Sequence, residues 1–320
     1  MLPRKIRVIA VGAIASIFAA AAAHAEDYPT RPITFVVPFV VGGNSDFAAR
    51  GLQPAFEKAL GQSVIILNKG GAAGALGAAA VALAHPDGYT IGLIPLNPLV
   101  VQPLTKKLPY SIDSFKYVCH IYLSPYVLMV SEDSPLKTFA DFVAAARAAP
   151  RAISYGTVGV GSDPHLTALA LFKAIGAEGL NVPYNGGGAL VPALMAHTIS
   201  VVIEAPSLAI SSHFRVLAVF ADKRTPTLPN VPTVKETGYD VTYFTPSAGI
   251  VAPANTPDAI VAKLESACHT AADSKQYQSV TERLGITGAF ESGAAYRKMV
   301  SERMQQVIPV LKAGGFEKPD

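Results

Sequence analysis

The chain reads as an α/β protein of two lobes, each a sheet flanked by helices, with a cleft between them. Three observations carry this expectation. Short β-rich runs alternate with Ala-rich helical stretches, the alternation restarts after residue 123, and one late apolar run at 247–251 stands beyond the second series. That late strand is expected to return to the first lobe. A chain that leaves one lobe, builds another and comes back forms a two-strand hinge, and lobes joined in this way close on ligands.

Taken in order, strand 33–37 leads into helix 46–60, strand 64–67 into helix 75–84, and strand 89–94 into a Pro-interrupted turn. These read as βαβ units on a parallel sheet. Strand 117–122 ends the first series, and the second runs through strand 126–130, helix 139–148, strand 152–155, helix 164–175, strand 180–182, a Gly-rich turn, strand 199–203 and strand 215–219. Pro226, Pro229 and Pro232 stiffen a non-repetitive stretch, and helices near 257–271, 274–284 and 294–312 close the chain. The expected division is therefore a first lobe of residues 26–123 plus 247–290, a second of 124–246, and a terminal helix, 291–320, crossing between them.

Arg4, Lys5 and Arg7 precede an apolar run of about sixteen residues, shorter than the roughly 20 of a membrane span, and Ala23-His24-Ala25 offers small residues to a signal peptidase. A secretory leader, residues 1–25, cut after Ala25, is expected, with the mature protein free in the periplasm as a monomer. The leader holds three basic and no acidic residues, so the formal +3 charge belongs to it and the mature chain is neutral. Nucleic acid and anionic membranes, which need a concentrated basic face, are not expected partners. Cys119 and Cys268 are the only thiols. An oxidising compartment permits them to pair, but two buried free thiols are the simpler expectation.

Three loops are candidates for binding. Pro38 to Asp46 joins a strand end to a helix start, where ligands bind in open α/β sheets. Its Gly42 and Gly43 let backbone approach a guest, and Asn44, Ser45 or Asp46 can cap the helix whose free first-turn amides favour an anion. Gly156 to His165 repeats this chemistry, with Gly161, Ser162 and Pro164 at the start of the next helix. Tyr184, Asn185, Gly186 and Gly187 follow a third strand and offer amides, an aromatic wall and a side-chain amide. None of the three contains Lys or Arg, so an acid held there would rest on neutral amides and hydroxyls.

Enzyme signatures are scarce: there is no Gly-x-Ser-x-Gly, no phosphate loop, no His-Glu-x-x-His and no Cys-x-x-Cys, and the seven histidines do not cluster at metal-ligand spacing. No cofactor and no metal are expected. A secreted hydrolase using Ser162 as nucleophile and His165 as base is the alternative, but no third, orienting residue is identifiable. His165 reads more simply as a hydrogen-bonding residue of the helix start.

Together the motifs resemble the Bug solute-binding proteins, receptors of tripartite tricarboxylate transporters. The resemblance rests on Tyr28-Pro29-Thr30-Arg31-Pro32, Val37-Pro38-Phe39 with Gly42-Gly43 and Asp46, Pro86-Asp87-Gly88-Tyr89-Thr90, Leu108-Pro109-Tyr110, Gly161-Ser162 with His165, Val182-Pro183-Tyr184 with Gly186-Gly187, and Leu228-Pro229 with Val231-Pro232-Thr233. It implies a non-catalytic periplasmic receptor that closes on carboxylates, amino acids or aromatic acids and passes them to membrane subunits. It also implies pocket residues from Val41 to Asp46, at Gly161, Ser162 and His165, and from Tyr184 to Gly187, with Leu96, Asn97 and Glu204 on the variable side. Val41 stands where the family usually has proline, Asn185 where lysine is common, and Glu204 where aspartate is usual. Glu204 reads first as a solvent-facing carboxylate at a strand end and second as a partner for a ligand ammonium.

Overall fold

The computed structural model describes residues 28–184, 187–225 and 227–316. The expected leader lies outside them. Two sheets form. The first has strand order β11-β4-β10-β3-β1-β2, from β1 (Ile33–Val37), β2 (Val64–Asn68), β3 (Thr90–Pro95), β4 (Phe115–Leu123), β10 (Ser247–Pro253) and β11 (Thr287–Ser292). The second has order β7-β6-β8-β5-β9, from β5 (Tyr126–Val130), β6 (Ile153–Thr157), β7 (Gly179–Pro183), β8 (Val201–Glu204) and β9 (Arg215–Phe220). Central strands such as β1, β5 and β10 are covered on both faces, which is why they read as continuous apolar runs rather than alternating ones.

The parallel-sheet expectation holds only in part. β1 runs parallel to β2 and β3, and β6 runs parallel to β7 and β8. β10 inserts antiparallel between β3 and β4, and β5 lies antiparallel to β8 and β9. The cause is the crossover: a strand that returns from the other lobe enters the sheet from the opposite end. The two crossings touch, since the Ser124 amide donates to the Pro246 carbonyl at 2.8 Å.

Helices α1 (Asn44–Leu60), α2 (Ala75–Ala82), α8 (Asp258–Ala272) and α9 (Lys275–Leu284) accompany the first sheet. Helices α4 (Phe139–Ala148), α5 (Asp163–Ala174), α6 (Leu190–Met195) and α7 (Pro206–Ser212) accompany the second. Local signals fix several ends. Thr138 and Asp141 form a reciprocal capping box at the start of α4, and Ser274 caps α9, which stops at left-handed Gly285. The last helix, α10 (Gly293–Ala313), packs on β4 of the first lobe and on α5 of the second.

Two departures from expectation have clear causes. The Pro-interrupted turn after β3 is helical, a π turn at Asn97–Val101 running into the short α3 (Gln102–Thr105), because its prolines sit in first-turn positions where a missing N–H loses no bond. Cys119 and Cys268 are not free thiols: they form a disulfide that ties β4 to α8 within the first lobe's apolar core.

Candidate functional site: the cleft between the sheets

The topology turns the carboxyl ends of both sheets toward each other. β1 delivers the loop that precedes α1, and β3 delivers Leu96 and Asn97. From the other side β6 delivers the loop before α5, β7 delivers Tyr184, and β8 ends on Glu204. Contacts across the gap confirm that these ends meet. The Asn97 side-chain amide donates to the Gly161 carbonyl at 3.2 Å and to the Asp163 carboxylate at 3.1 Å, while the Ser207 hydroxyl donates to Asn44 Oδ1 at 3.3 Å.

In the first loop Gly42 adopts φ 90°, a conformation that side chains rarely tolerate. Its amide donates to Asp46 Oδ2 at 3.0 Å. Asp46 is buried and also accepts from Arg50 Nε at 3.0 Å and from the Asn68 amide at 3.0 Å. Burial works to raise its pKa, but the bonds from Arg50, Gly42 and Asn68 outweigh it and hold the carboxyl below its ordinary value. Asp46 thus shapes the loop from behind. The expected side-chain cap is absent: Gly43 takes the capping position, Asn44 is engaged by Ser207, and Ser45 meets the Tyr122 hydroxyl at 3.2 Å. Among the described residues no acceptor is found for the amides of Gly43, Asn44, Ser45 and Asp46, which leaves the first turn open to an anion.

The second loop is built by the same means. Gly159 and Gly161 take φ 128° and 74°, the Gly161 amide donates to His165 Nδ1 at 3.0 Å, and Ser162 Oγ donates to the Gly159 carbonyl at 2.7 Å. Burial lowers the His165 pKa to about 4, so the ring is a neutral acceptor at ordinary pH. Ser162 and His165 each bond a backbone group rather than one another, and the nucleophile and base of the hydrolase alternative are not assembled. The chain does hold a serine, a histidine and a carboxylate in line, but elsewhere. His120 Nε2 meets Ser247 Oγ at 2.7 Å, with Glu291 3.6 Å from Nδ1. His120 and Ser247 are fully buried in the first lobe at the hinge, with no face toward a substrate.

Tyr184 is fixed by its amide, which donates to the Thr157 carbonyl at 2.8 Å, and Gly187 opens a short helical turn. Asn185 and Gly186 lie outside the described residues. Leu96 is buried in the apolar cluster with Leu99 and Leu166, so it supports the loop from beneath. Glu204 is half-buried rather than solvent-facing: Oε1 accepts the Ala205 amide at 2.9 Å. Burial and, secondarily, Asp163 push its pKa up to about 7, and its charge is felt by Tyr122 and Tyr126. Sequence reasoning missed Tyr122, Tyr126 and Arg303, which sit in strands and a helix far from the loops. Arg303 is buried on α10, donates to the Thr245 carbonyl at 3.0 Å and lies over the Phe244 ring.

Among the described residues no helix is long and apolar enough to cross a membrane, and no cluster of metal-ligating side chains occurs. The family model described as "Tripartite tricarboxylate transporter family receptor" matches residues 48–316. The periplasmic binding protein BugD superposes with a TM-score of 0.83 at 29% identity, over 91% of this chain and 100% of that one. An R. palustris protein solved with adipate gives a TM-score of 0.85 at 28% identity, over 92% and 100% of the two chains. MatC from Rhodopseudomonas palustris, with bound malate, gives 0.80 at 28%, over 89% and 100%. The two facing sheets, the glycine loops at their carboxyl ends and this match over most of the chain lead to one conclusion: the protein belongs to the tripartite tricarboxylate transporter receptor family, the Bug-type solute-binding receptors, which bind their solutes without transforming them.

Proposed function

We propose that this protein captures a small organic acid in the periplasm, closes its lobes on it and presents it to the membrane subunits of a tripartite tricarboxylate transporter. One observation carries the reading: the α1 start faces the cleft with the amides of Gly43, Asn44, Ser45 and Asp46 not taken up by any acceptor among the described residues. The acid group is held by the amides of Gly43, Asn44 and Ser45, with the α5 start opposite, while Asp46, Ser162 and His165 keep the loops in shape. The adipate and malate of the two R. palustris proteins support an organic acid as the solute class. The basic, apolar leader supports export, and the protein acts as a monomer.

Calorimetry with adipate, malate and a panel of amino acids tests the reading, alongside N-terminal sequencing of protein from the periplasmic fraction. Saturable binding without turnover, on a chain that begins at Glu26, is the expected result. Membrane-retained protein beginning at Met1 contradicts the export part, and hydrolysis of a bound acid or ester contradicts the receptor part.

A further inference from the structure

We infer that Glu204 makes this cleft select a small acid that also carries a protonated amine, and turn away one whose far end is a second carboxylate. The inference deepens the receptor reading and rests on it. Its first support is position. Glu204 ends β8, next to β6 and its Gly159–Ser162 loop, and opposite Val127 of β5 just past the hinge. Three residues on, Ser207 reaches Asn44 at the start of α1. The carboxylate therefore stands on the same wall as the second loop and close to the first.

Its second support is an open valence. Oε1 accepts the Ala205 amide, whereas among the described residues no donor is found for Oε2 of this half-buried side chain. A carboxylate in such a place calls for a cationic or hydrogen-donating partner. Among the described residues no protein group is found to supply one. The ionisable groups around it are Asp163 at the start of α5, Tyr122 on β4 and Tyr126 on β5. Among the described residues the cation of this neighbourhood is Arg303, which donates to Thr245 and lies over Phe244, and whose attraction is felt at Asp163 and Tyr126.

The cleft then has two unlike walls. The amides at the start of α1 favour negative charge, and the Glu204–Asp163 side favours positive charge. A ligand with a carboxylate and an ammonium matches both, while a dicarboxylate places one acid against Glu204. Repulsion of the wrong ligand is as much a source of selectivity as attraction of the right one. The charge on Glu204 is itself variable, because burial first and Asp163 second push its pKa up to about 7. Affinity for an ammonium should therefore fall as pH drops through that value, and affinity for a second carboxylate should rise.

Length-matched pairs make the test: ε-aminocaproate against adipate and γ-aminobutyrate against succinate, with leucine added, by calorimetry on the full mature chain. At about pH 8 the amine-bearing acids should bind about tenfold or more tighter than their dicarboxylate partners, and lowering the pH to about 6 should narrow the gap. Glu204→Gln should lose about tenfold for the amine-bearing acids, gain for the dicarboxylates and abolish the pH effect on both. Tight dicarboxylate binding that ignores both pH and Glu204→Gln overturns this inference and leaves the receptor reading standing. Failure of the folded protein to bind any of these acids, or any acid retained from its periplasm, overturns both.

Discussion

Asn97 of the first lobe holds the second with one side-chain amide, donating to the Gly161 carbonyl at 3.2 Å and to Asp163 Oδ1 at 3.1 Å. Its own carbonyl accepts from Gln102 at 2.9 Å, so the amide is fixed from behind and aimed across the hinge. The conformation described is one in which the lobes already touch, and the hydrogen bonds of Asn97 and Ser207, together with the packing of α9 on α7, are contacts that a hinge opening would break.

Asn97→Ala should therefore favour the open form. Removing it strands the buried Gln102 amide and leaves Asp163 without its donor, at about 1–3 kcal/mol per unsatisfied group. Small-angle scattering should show a larger radius of gyration for the variant without ligand, together with weaker solute binding. Identical curves and affinity would mean that Asn97 is not a closure contact.

Asp46 is expected to act through loop shape. Asp46→Ala leaves the Gly42 amide and the Asn68 side chain without their buried acceptor and should destabilise the protein by about 1–3 kcal/mol while weakening binding. Because the folded-state pKa is lowered, the stabilising contribution is present above the ordinary carboxylate range and disappears as pH falls through the folded value. Thermal melts of wild type and variant should thus converge in acid, and a gap that persists unchanged at low pH would contradict this.

Glu204 has the opposite sign. Its folded pKa stands near 7 against an ordinary 4.5, so the folded state holds the proton more tightly. The group's stabilising contribution is full below the ordinary value and is lost as pH rises through about 7. Glu204→Gln should raise the melting temperature at about pH 8, by at most about 3 kcal/mol of stability, and change little at about pH 5. A variant less stable than wild type at the higher pH would show that the ionised carboxylate is already paired.

The Cys119–Cys268 bridge closes a loop of 149 residues in sequence and links β4 to α8. Native mass spectrometry should find the mature chain lighter by two hydrogens than its reduced form, and the Cys119→Ala, Cys268→Ala double variant should lose about 2–5 kcal/mol. A reduced mass in protein taken from the periplasm, or an unchanged melt on reduction, would contradict a structural role.

Much of the architecture was legible in the sequence because long periodic segments carry their own signals. The strand at 33–37 and the helix at 139–148 fall where β1 and α4 are, the latter between a capping threonine and an alanine run. β11 was not legible: Thr287-Gly288-Ala289-Phe290-Glu291-Ser292 has neither a β-branched run nor clean alternation and owes its strand form to pairing with β4. Helices α6 and α7, of 6 and 7 residues, are too short to show a period. The candidate binding loops were legible as glycine-rich strand-to-helix turns. What sequence could not supply was which groups they use on themselves: Asp46 accepts from Gly42, Arg50 and Asn68, and Ser162 donates to Gly159. Nor could it bring Tyr122 and Tyr126 close to Glu204, or Arg303 close to Asp163 and Tyr126, since only the crossover of β5 and the packing of α10 place them there.

The central claim, that backbone amides at the α1 start hold an organic acid in the interlobe cleft, is tested most directly at Gly43. Its φ of −89° suits any residue and the nearest atom to an added Cβ is the Val40 carbonyl at 3.8 Å, so Gly43→Val should fold as the wild type does. The added side chain would stand in the path of a ligand approaching these amides. Native mass spectrometry of both proteins purified from their own periplasm is the measurement. Wild type should retain a small acid, while Gly43→Val, with an unchanged melting temperature, should emerge empty. Equal retention by the two proteins, or a wild type that neither retains nor binds any organic acid, would contradict the claim.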